Sequence, residues 1–210
     1  MAVAVLTALA ERVLGSPRFY DWIQRIVGLE ELRQRVANVL GHLEQGTVLD
    51  VGAGTGSFYP IVPPQLEYVA LDVDERKLAR IRHRFPNART VAGSGTELPF
   101  GDHAVDYSVC IDVSHHLDDR DFERLVGELA RVTARSLVFV DALQVPRLTS
   151  RLLWSLDRGS HPRSLDAIQH TLETRFRFED LHTFTIRHVY AMAVAVPQEH
   201  AVTSASLPES

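Results

Sequence analysis

Three alternating glycines are the residues of this chain whose type and spacing say most about chemistry. Gly52, Gly54 and Gly56 directly follow the apolar, β-prone segment 47–51, which carries Asp50 near its end. Glycine permits a tight turn, a positive φ and a close approach between backbone and ligand that a Cβ would prevent. The pattern therefore predicts a ligand-binding loop at the end of a strand that is buried in a parallel sheet.

A second acidic residue indicates what kind of ligand this loop would hold. Asp72 ends the apolar segment 68–72, where doubly wound sheets place an acid on the hydroxyls of a bound ribose. The glycine spacing argues against a dinucleotide, because Ser57 stands where that fingerprint requires its third glycine. The sequence thus predicts a ribose-containing cofactor other than a dinucleotide.

Two histidines and two further acids could supply acid–base chemistry. His115 and His116 follow a predicted strand, 105–111, at its carboxyl end, where a base for a bound substrate would lie. Asp112 lies in the same loop, and Asp141 ends the predicted strand 136–141. Loop packing is the alternative for the histidines, and a turn or helix-start role is the alternative for the acids.

A polar turn at 157–163 interrupts an otherwise apolar region. Arg158 and Arg163 suit a substrate carboxylate or phosphate, since a guanidinium can bind either group as a fork. His161 lies between them, and Tyr20, on a predicted amino-terminal helix, could form part of a lid over the bound cofactor. A solvated loop and ordinary helix packing are the alternatives for these four residues.

Strands and helices must alternate to position these groups. Residues 2–44 are predicted to be helical with breaks at 15–17 and at Gly28. Five strands, at 47–51, 68–72, 88–92, 105–111 and 136–141, alternate with helices that include 74–84 and 121–132. Two helices are expected within 147–174, and strands 176–185 and 189–196 should form an antiparallel hairpin. This order predicts an α/β fold with a parallel sheet.

Composition excludes several function classes. A net charge of -5 and a pI near 6.0 do not suit a protein that binds duplex nucleic acid. The single cysteine, Cys110, allows no intrachain disulfide and no cysteine metal cluster. The apolar start, 1–10, lacks a preceding lysine or arginine, which favours a helix packed on the domain over a signal peptide. We expect a cytoplasmic protein that acts without a membrane partner.

The segment from 48 to 141 resembles the class I S-adenosylmethionine-dependent methyltransferases. Residues 49–56 are similar to the first motif of that family and residues 70–74 to the second. Residues 93–110 resemble the exit of the third strand and the entry of the fourth, and 113–117 resemble the loop that follows it. The patterns look most like those of small-molecule methyltransferases related to quinone and lipid methylation.

The resemblance implies a doubly wound, Rossmann-like sheet of seven strands, mostly parallel, with an antiparallel last strand. A helical cap at 1–44 and a helical insertion after the fifth strand, at 147–174, would belong to one domain, 1–197, followed by a flexible tail, 198–210. The insertion would cover the acceptor. A monomer or a homodimer is expected.

S-adenosylmethionine is the cofactor that the resemblance implies. The glycine loop would lie under its methionine part, Asp72 would bind both ribose hydroxyls, and the segment 94–96 would edge the adenine. Relatives commonly carry an acid where this chain has Ser94, and a neutral hydroxyl makes a weaker bond. The implied cofactor contacts are Asp50, Gly52, Ala53, Gly54, Gly56, Asp72, Val73, Ser94, Gly95, Thr96, Asp112 and Val113.

The expected function is transfer of the cofactor's methyl group to a small-molecule acceptor by in-line displacement, without a metal. His115 or His116 would act as the base, and Tyr20, Asp141, Arg158, His161 and Arg163 would contact the acceptor. Two alternatives remain open: methylation of RNA or protein, and a cofactor-binding module that does not transfer the methyl group.

Overall fold

A computed structural model describes residues 28–145, 161–186 and 189–198 of the protein. The predicted cap up to residue 27, the insertion residues 146–160 and the tail from 199, together with Tyr20 and Arg158, lie outside the described residues. The described strands are β1 Gly46–Val51, β2 Leu66–Asp72, β3 Arg89–Ala92, β4 Val105–Ile111, β5 Thr133–Ala142, β6 Phe176–Thr185 and β7 Val189–Pro197. The described helices are α1 Leu29–Leu40, α2 Glu75–Arg84, α3 Asp119–Val132 and α4 Leu165–Glu173.

All seven strands form a single sheet in the order β3-β2-β1-β4-β5-β7-β6. The five strands from β3 to β5 pair in parallel, and β7 runs antiparallel to both of its neighbours, β5 and β6. The predicted α/β fold, a mostly parallel sheet with an antiparallel last strand, is confirmed.

The sheet buries both of its faces, as its apolar strands require. On one face, Val36 of α1 and Leu78 of α2 pack against the sheet, and on the other face Leu125 of α3 and Leu172 of α4 do so. These four side chains are at most 1% exposed. In β2, Tyr68 and Ala70 belong to one core and Val69 and Leu71 to the other, and this alternation is the pattern of a doubly wound sheet.

Capping side chains fix where the helices begin. Asp74 accepts a hydrogen bond from the backbone N–H of Arg76 at 2.9 Å, which starts α2 one residue later than the predicted helix 74–84. Asp118 accepts from the N–H of Asp121 at 2.8 Å, so α3 begins at Asp119 rather than at 121. Such caps satisfy backbone donors that have no partner within the helix.

The strand order reverses direction between β1 and β4. At this point the helices diverge to opposite faces of the sheet, and a crevice opens outside the carboxyl ends of the two strands. The glycine loop follows β1, and the loop with both histidines follows β4. The fold therefore brings together the two segments in which the sequence predicts functional residues.

Among the described residues, no helix is long and apolar enough to cross a membrane.

Candidate functional site

The three glycines after β1 share a backbone conformation that favours glycine, but they differ in what surrounds them. Gly52, Gly54 and Gly56 have φ angles of 79°, 57° and 77°, which side-chain-bearing residues rarely adopt. A Cβ on Gly52 would overlap the Cγ2 methyl of Val113, and a Cβ on Gly56 would lie 3.2 Å from Ile81. Both positions are therefore closed by the protein's own packing.

Gly54 differs from Gly52 and Gly56 because no described side chain closes the space beside it. The nearest described atom to a Cβ built on Gly54 is the carbonyl oxygen of Gly52, 4.0 Å away. The backbone thus presents a cradle that a side chain would fill. This geometry fits a cofactor that lies directly against the loop, as the sequence predicts.

Asp72 lies beside this cradle and supports it. One carboxylate oxygen accepts from the N–H of Gly54 at 3.0 Å and lies 3.4 Å from the Lys77 ammonium. The other oxygen accepts from the N–H of Asp74 at 2.8 Å. An ionised carboxylate offers about four lone-pair positions, so one is left for a hydroxyl donor, and a second hydroxyl could replace the long Lys77 contact. The next residue, Val73, is 73% exposed and offers an apolar face beside the acid.

Asp50 is buried under the loop and has a partner that the sequence did not predict. Its carboxylate accepts a hydrogen bond from the Tyr68 hydroxyl at 2.6 Å, and only 2% of the residue is exposed. Burial raises the pKa of Asp50 to about 6, the Tyr68 bond opposes that rise, and the charge of Asp72 adds to it. The single aromatic residue of β2, Tyr68, was the available signal.

The segment after β3 forms a tight turn at the same edge of the sheet. The hydroxyls of Ser94 and Thr96 lie 2.8 Å apart, and the N–H of Thr96 donates to the Ser94 oxygen at 3.2 Å. A Cβ on Gly95 would come within 2.9 Å of Leu125 and 3.0 Å of Val51, so this residue packs against the core. The turn is placed where the predicted adenine edge requires it, and its role in binding stays a prediction.

The loop after β4 packs on the glycine loop. Asp112 has a φ of 56°, and its N–H donates to Val140 at 2.9 Å. Val113 then contacts Gly52, and a short 3-10 turn, Ser114–His116, follows. His115 is 4% exposed, whereas His116 is exposed, and their rings lie 4.2 Å apart.

Asp141 joins this loop to β5. One of its oxygens accepts from the N–H and the hydroxyl of Ser114 at 2.7 and 2.6 Å. The other accepts from the N–H of Ala142 at 2.7 Å and lies 2.6 Å from Nδ1 of His115. Burial alone would raise the pKa of Asp141, but the His115 contact and the bonds from Ser114 and Ala142 hold it below its usual range. Sequence reasoning missed Ser114 and this pairing.

A metal centre is a weaker interpretation of the same residues. Asp112, His115 and Asp141 bring possible ligand atoms within 4.8 Å of one another. Each oxygen of Asp141 already has two hydrogen-bonding partners, which occupy its lone pairs. The arrangement favours a hydrogen-bonded network, and the expectation that no metal is needed stays a prediction.

Arg163 reaches the same loop from the segment that follows the insertion. Its guanidinium donates to the carbonyls of Ser114 and Leu117 at 2.5 and 2.8 Å and to the Asp119 carboxylate at 2.8 Å. The residue is 7% exposed and lies over the Phe122 ring at 4.6 Å. These contacts favour a structural tie over the predicted binding of an acceptor anion. His161 is exposed, and its N–H donates to the carbonyl of His115 at 3.0 Å.

Replacing Arg163 by lysine should destabilise the protein. An ammonium cannot make the forked set of bonds, so buried carbonyls lose their donors, which costs about 1–3 kcal/mol of unfolding free energy. Urea denaturation measures this change. Asp119→Asn is the matched control, because that carboxylate is 92% exposed and its ion pair contributes little. An unchanged unfolding midpoint in Arg163→Lys would contradict the structural role and return Arg163 to the acceptor pocket.

The fold and the site together define a class of protein. An open, doubly wound sheet with a glycine loop after β1 and an acid at the end of β2 is characteristic of Rossmann-like cofactor-binding proteins. Residues 48–136 match the family described as methyltransferase domain. A probable S-adenosylmethionine-dependent methyltransferase of Mycobacterium tuberculosis is 31% identical over 171 residues, which are 78% of this chain and 58% of that protein.

Two further proteins are similar over different lengths. Demethylmenaquinone methyltransferase of Renibacterium salmoninarum is 34% identical over 103 residues, 48% of this chain and 42% of that protein. The crystal structure of magnesium protoporphyrin IX methyltransferase from Synechocystis, with bound SAH, superposes with a TM-score of 0.71. It is 18% identical, and the match covers 91% of this chain and 100% of that one, which shows the shared fold.

Residues 48–136 therefore form a methyltransferase domain similar to those of S-adenosylmethionine-dependent methyltransferases. The matching stretches span between 34% and 58% of the length of the curated relatives.

Proposed function

We propose that the protein is an S-adenosylmethionine-dependent methyltransferase that acts on a small molecule by in-line displacement. The observation that carries the proposal is the open cradle at Gly54, bordered by the buried carboxylate of Asp72. When bound, the sulfonium cofactor supplies an activated methyl group. The protein's main task is then to align donor and acceptor, and measured effective molarities allow about 7 kcal/mol or more for such alignment.

The described residues would hold the cofactor along the carboxyl edge of the sheet. The loop from Gly52 to Gly56 would lie under the methionine part, and Asp72 would accept hydrogen bonds from the ribose hydroxyls. Val73 would pack on the adenine, because it is the large apolar side chain left exposed beside the acid. Ser94 and Thr96 would edge the adenine ring. The negative charge of Asp50 would attract the cofactor's positive amino acid end.

A small-molecule acceptor is supported by the net charge of the chain and by the names of two similar proteins. The net charge of -5 gives the chain no basic footprint for nucleic acid. Demethylmenaquinone methyltransferase and magnesium protoporphyrin IX methyltransferase are both named for small-molecule substrates. Methylation of RNA or protein, and cofactor binding without transfer, are the other outcomes that the experiment below distinguishes.

Calorimetry and label transfer test the proposal in sequence. S-adenosylmethionine and its demethylated product should each bind the full chain. The protein is then incubated with methyl-labelled cofactor and with cell extracts fractionated into metabolites, RNA and protein. Label is expected in the metabolite fraction. Absence of binding by both compounds would refute the enzyme and the binding module alike, and label in RNA or protein would refute the small-molecule acceptor.

Asp72→Asn should weaken cofactor binding about 10- to 100-fold. The change removes charge-assisted hydrogen bonds, each of which contributes about 1.5–3 kcal/mol. Titration calorimetry with S-adenosylmethionine measures the effect. Asp74→Asn is a matched control two residues further on, because asparagine also caps a helix and Asp74 pairs with exposed Arg76. Equal affinity in wild type and Asp72→Asn would exclude the ribose role.

A further inference from the structure

A buried carboxylate lies directly against one of the two predicted bases. Oδ1 of Asp141 is 2.6 Å from Nδ1 of His115, and the two residues are 0% and 4% exposed. His116, the other predicted base, is exposed. The structure thus distinguishes two histidines that are adjacent in the chain and equivalent in the sequence analysis.

The bonds around Asp141 determine which nitrogen of His115 carries its proton. The N–H of Ser114 and the N–H of Ala142 can only donate, and they reach different oxygens of the carboxylate. The Ser114 hydroxyl donates as well, at 2.6 Å. A carboxylate surrounded by donors is ionised, so His115 must donate from Nδ1–H. In the neutral ring, the lone pair that can accept a proton then belongs to Nε2.

The turn that carries His115 is held from three sides. The carbonyl of His115 accepts from the N–H of His161 at 3.0 Å. The carbonyl of Ser114 accepts from the guanidinium of Arg163 at 2.5 Å. Val113, on the other side, packs against Gly52 of the glycine loop. His115 is therefore fixed relative to the loop beside which the transferable methyl group would lie.

We propose that Asp141 is a positioning residue that holds His115 in the Nδ1–H form as the general base, and that the acceptor is a hydroxyl or an acidic carbon. The inference rests on the proposed methyl transfer. In the step, the bond from the acceptor oxygen or carbon to the methyl carbon forms, and the sulfur–methyl bond breaks, leaving neutral S-adenosylhomocysteine. The acceptor's proton moves to Nε2 of His115, and Asp141 stabilises the resulting imidazolium through Nδ1–H.

Nitrogen-15 NMR of the full chain tests the positioning without any substrate. With labelled histidine, and with His115 assigned by its loss in His115→Gln, the wild-type spectrum should show neutral His115 as the Nδ1–H tautomer. Asp141→Asn should shift the population towards the Nε2–H tautomer. A wild-type spectrum in which the His115 signal is that of the Nε2–H tautomer would overturn the proposal, and this result does not depend on whether Asp141→Asn folds.

Measurements of kcat test whether His115 acts as the base. The acceptor for these measurements is taken from the extract fraction that receives the label. His115→Gln and Asp141→Asn should each lower kcat about 100-fold or more while the affinity for S-adenosylmethionine stays unchanged. The double variant should be no slower than the slower single variant, because the two residues act as a unit. Additive losses, or wild-type kcat in His115→Gln, would overturn the proposal.

Asp180→Asn is the matched control. Asp180 and His182 form a second aspartate–histidine pair at 2.8 Å, but it is exposed and lies on the edge strand β6. The same substitution there should leave kcat and the His115 signals unchanged. Different results refute the two proposals. Absence of cofactor binding refutes the proposed methyltransferase function. The Nε2–H tautomer of His115, in a protein that does bind the cofactor, refutes only the positioning role of Asp141.

Discussion

Gly54→Ala is expected to weaken S-adenosylmethionine binding about 10- to 100-fold and to leave the protein folded. A φ of 57° is tolerated by alanine at a cost of about 1–2 kcal/mol, and the new methyl group meets no described atom closer than 4.0 Å. The methyl group instead occupies the space that the cofactor would take, and such overpacking costs about 1–3 kcal/mol of binding free energy. Calorimetry measures binding, and urea denaturation measures stability.

Gly52→Ala, only two residues away, should instead lower the stability of the folded protein. Its Cβ would overlap Val113, so strain at a positive φ and overpacking add up to several kcal/mol of lost unfolding free energy. Val113→Ala in the same chain should restore the part that is due to the overlap. Gly101→Ala is the control, because a Cβ there meets no described atom within 4 Å. If Gly54→Ala binds the cofactor like wild type, the cradle is not the cofactor site.

The fold could be predicted because its signals are local. Apolar strands that alternate with helices specify a parallel sheet, and the strand pair 176–185 and 189–196 specifies the reversed end. The boundaries were less accurate, since they depend on caps and on tertiary pairing. β5, for example, begins at Thr133, directly after α3, whereas the apolar pattern placed its start at 136.

The positions of the site residues could be predicted only where a recurring motif spacing links two consecutive strands. Asp72 and the glycine loop are placed by β1 and β2, which pair along their length. The contact between His115 and Asp141 joins residues from two loops, and it exists because β4 and β5 are neighbours in the sheet. Arg163 shows the same limit. Two of its partners, at Ser114 and Leu117, are backbone carbonyls, and the sequence gives no sign of such partners because every residue carries a carbonyl.

Asp50 shows a conflict between stability and function within this site. A buried acid whose pKa is about 6 is mostly ionised at neutral pH, against the cost of burying a charge. Tyr68 offsets part of that cost with one hydrogen bond. Packing gives no reason to retain a charge there, since asparagine has the same shape and accepts the same bond. The charge is instead explained if it attracts a cationic cofactor to the loop above it.

Asp50→Asn should therefore stabilise the protein while it weakens cofactor binding. The folded protein holds the Asp50 proton up to a pH of about 6, whereas the unfolded chain releases it near 3.8. Stability due to this group is present below pH 3.8 and is lost as pH rises through about 6. The variant escapes this loss, so its advantage over wild type should approach about 3 kcal/mol at pH 8 and shrink by roughly half at pH 5.

Urea denaturation of both proteins across this pH range measures the difference, in which the other titrating groups cancel. Glu67→Gln is the control, because this acid also lies on β2 but is 64% exposed in its side chain. Its unfolding free energy should change by less than about 0.5 kcal/mol at every pH. An Asp50→Asn variant without a pH-dependent gain would mean that the carboxylate is not held with a raised pKa. A gain with unchanged affinity for S-adenosylmethionine would mean that its charge serves something other than the cofactor.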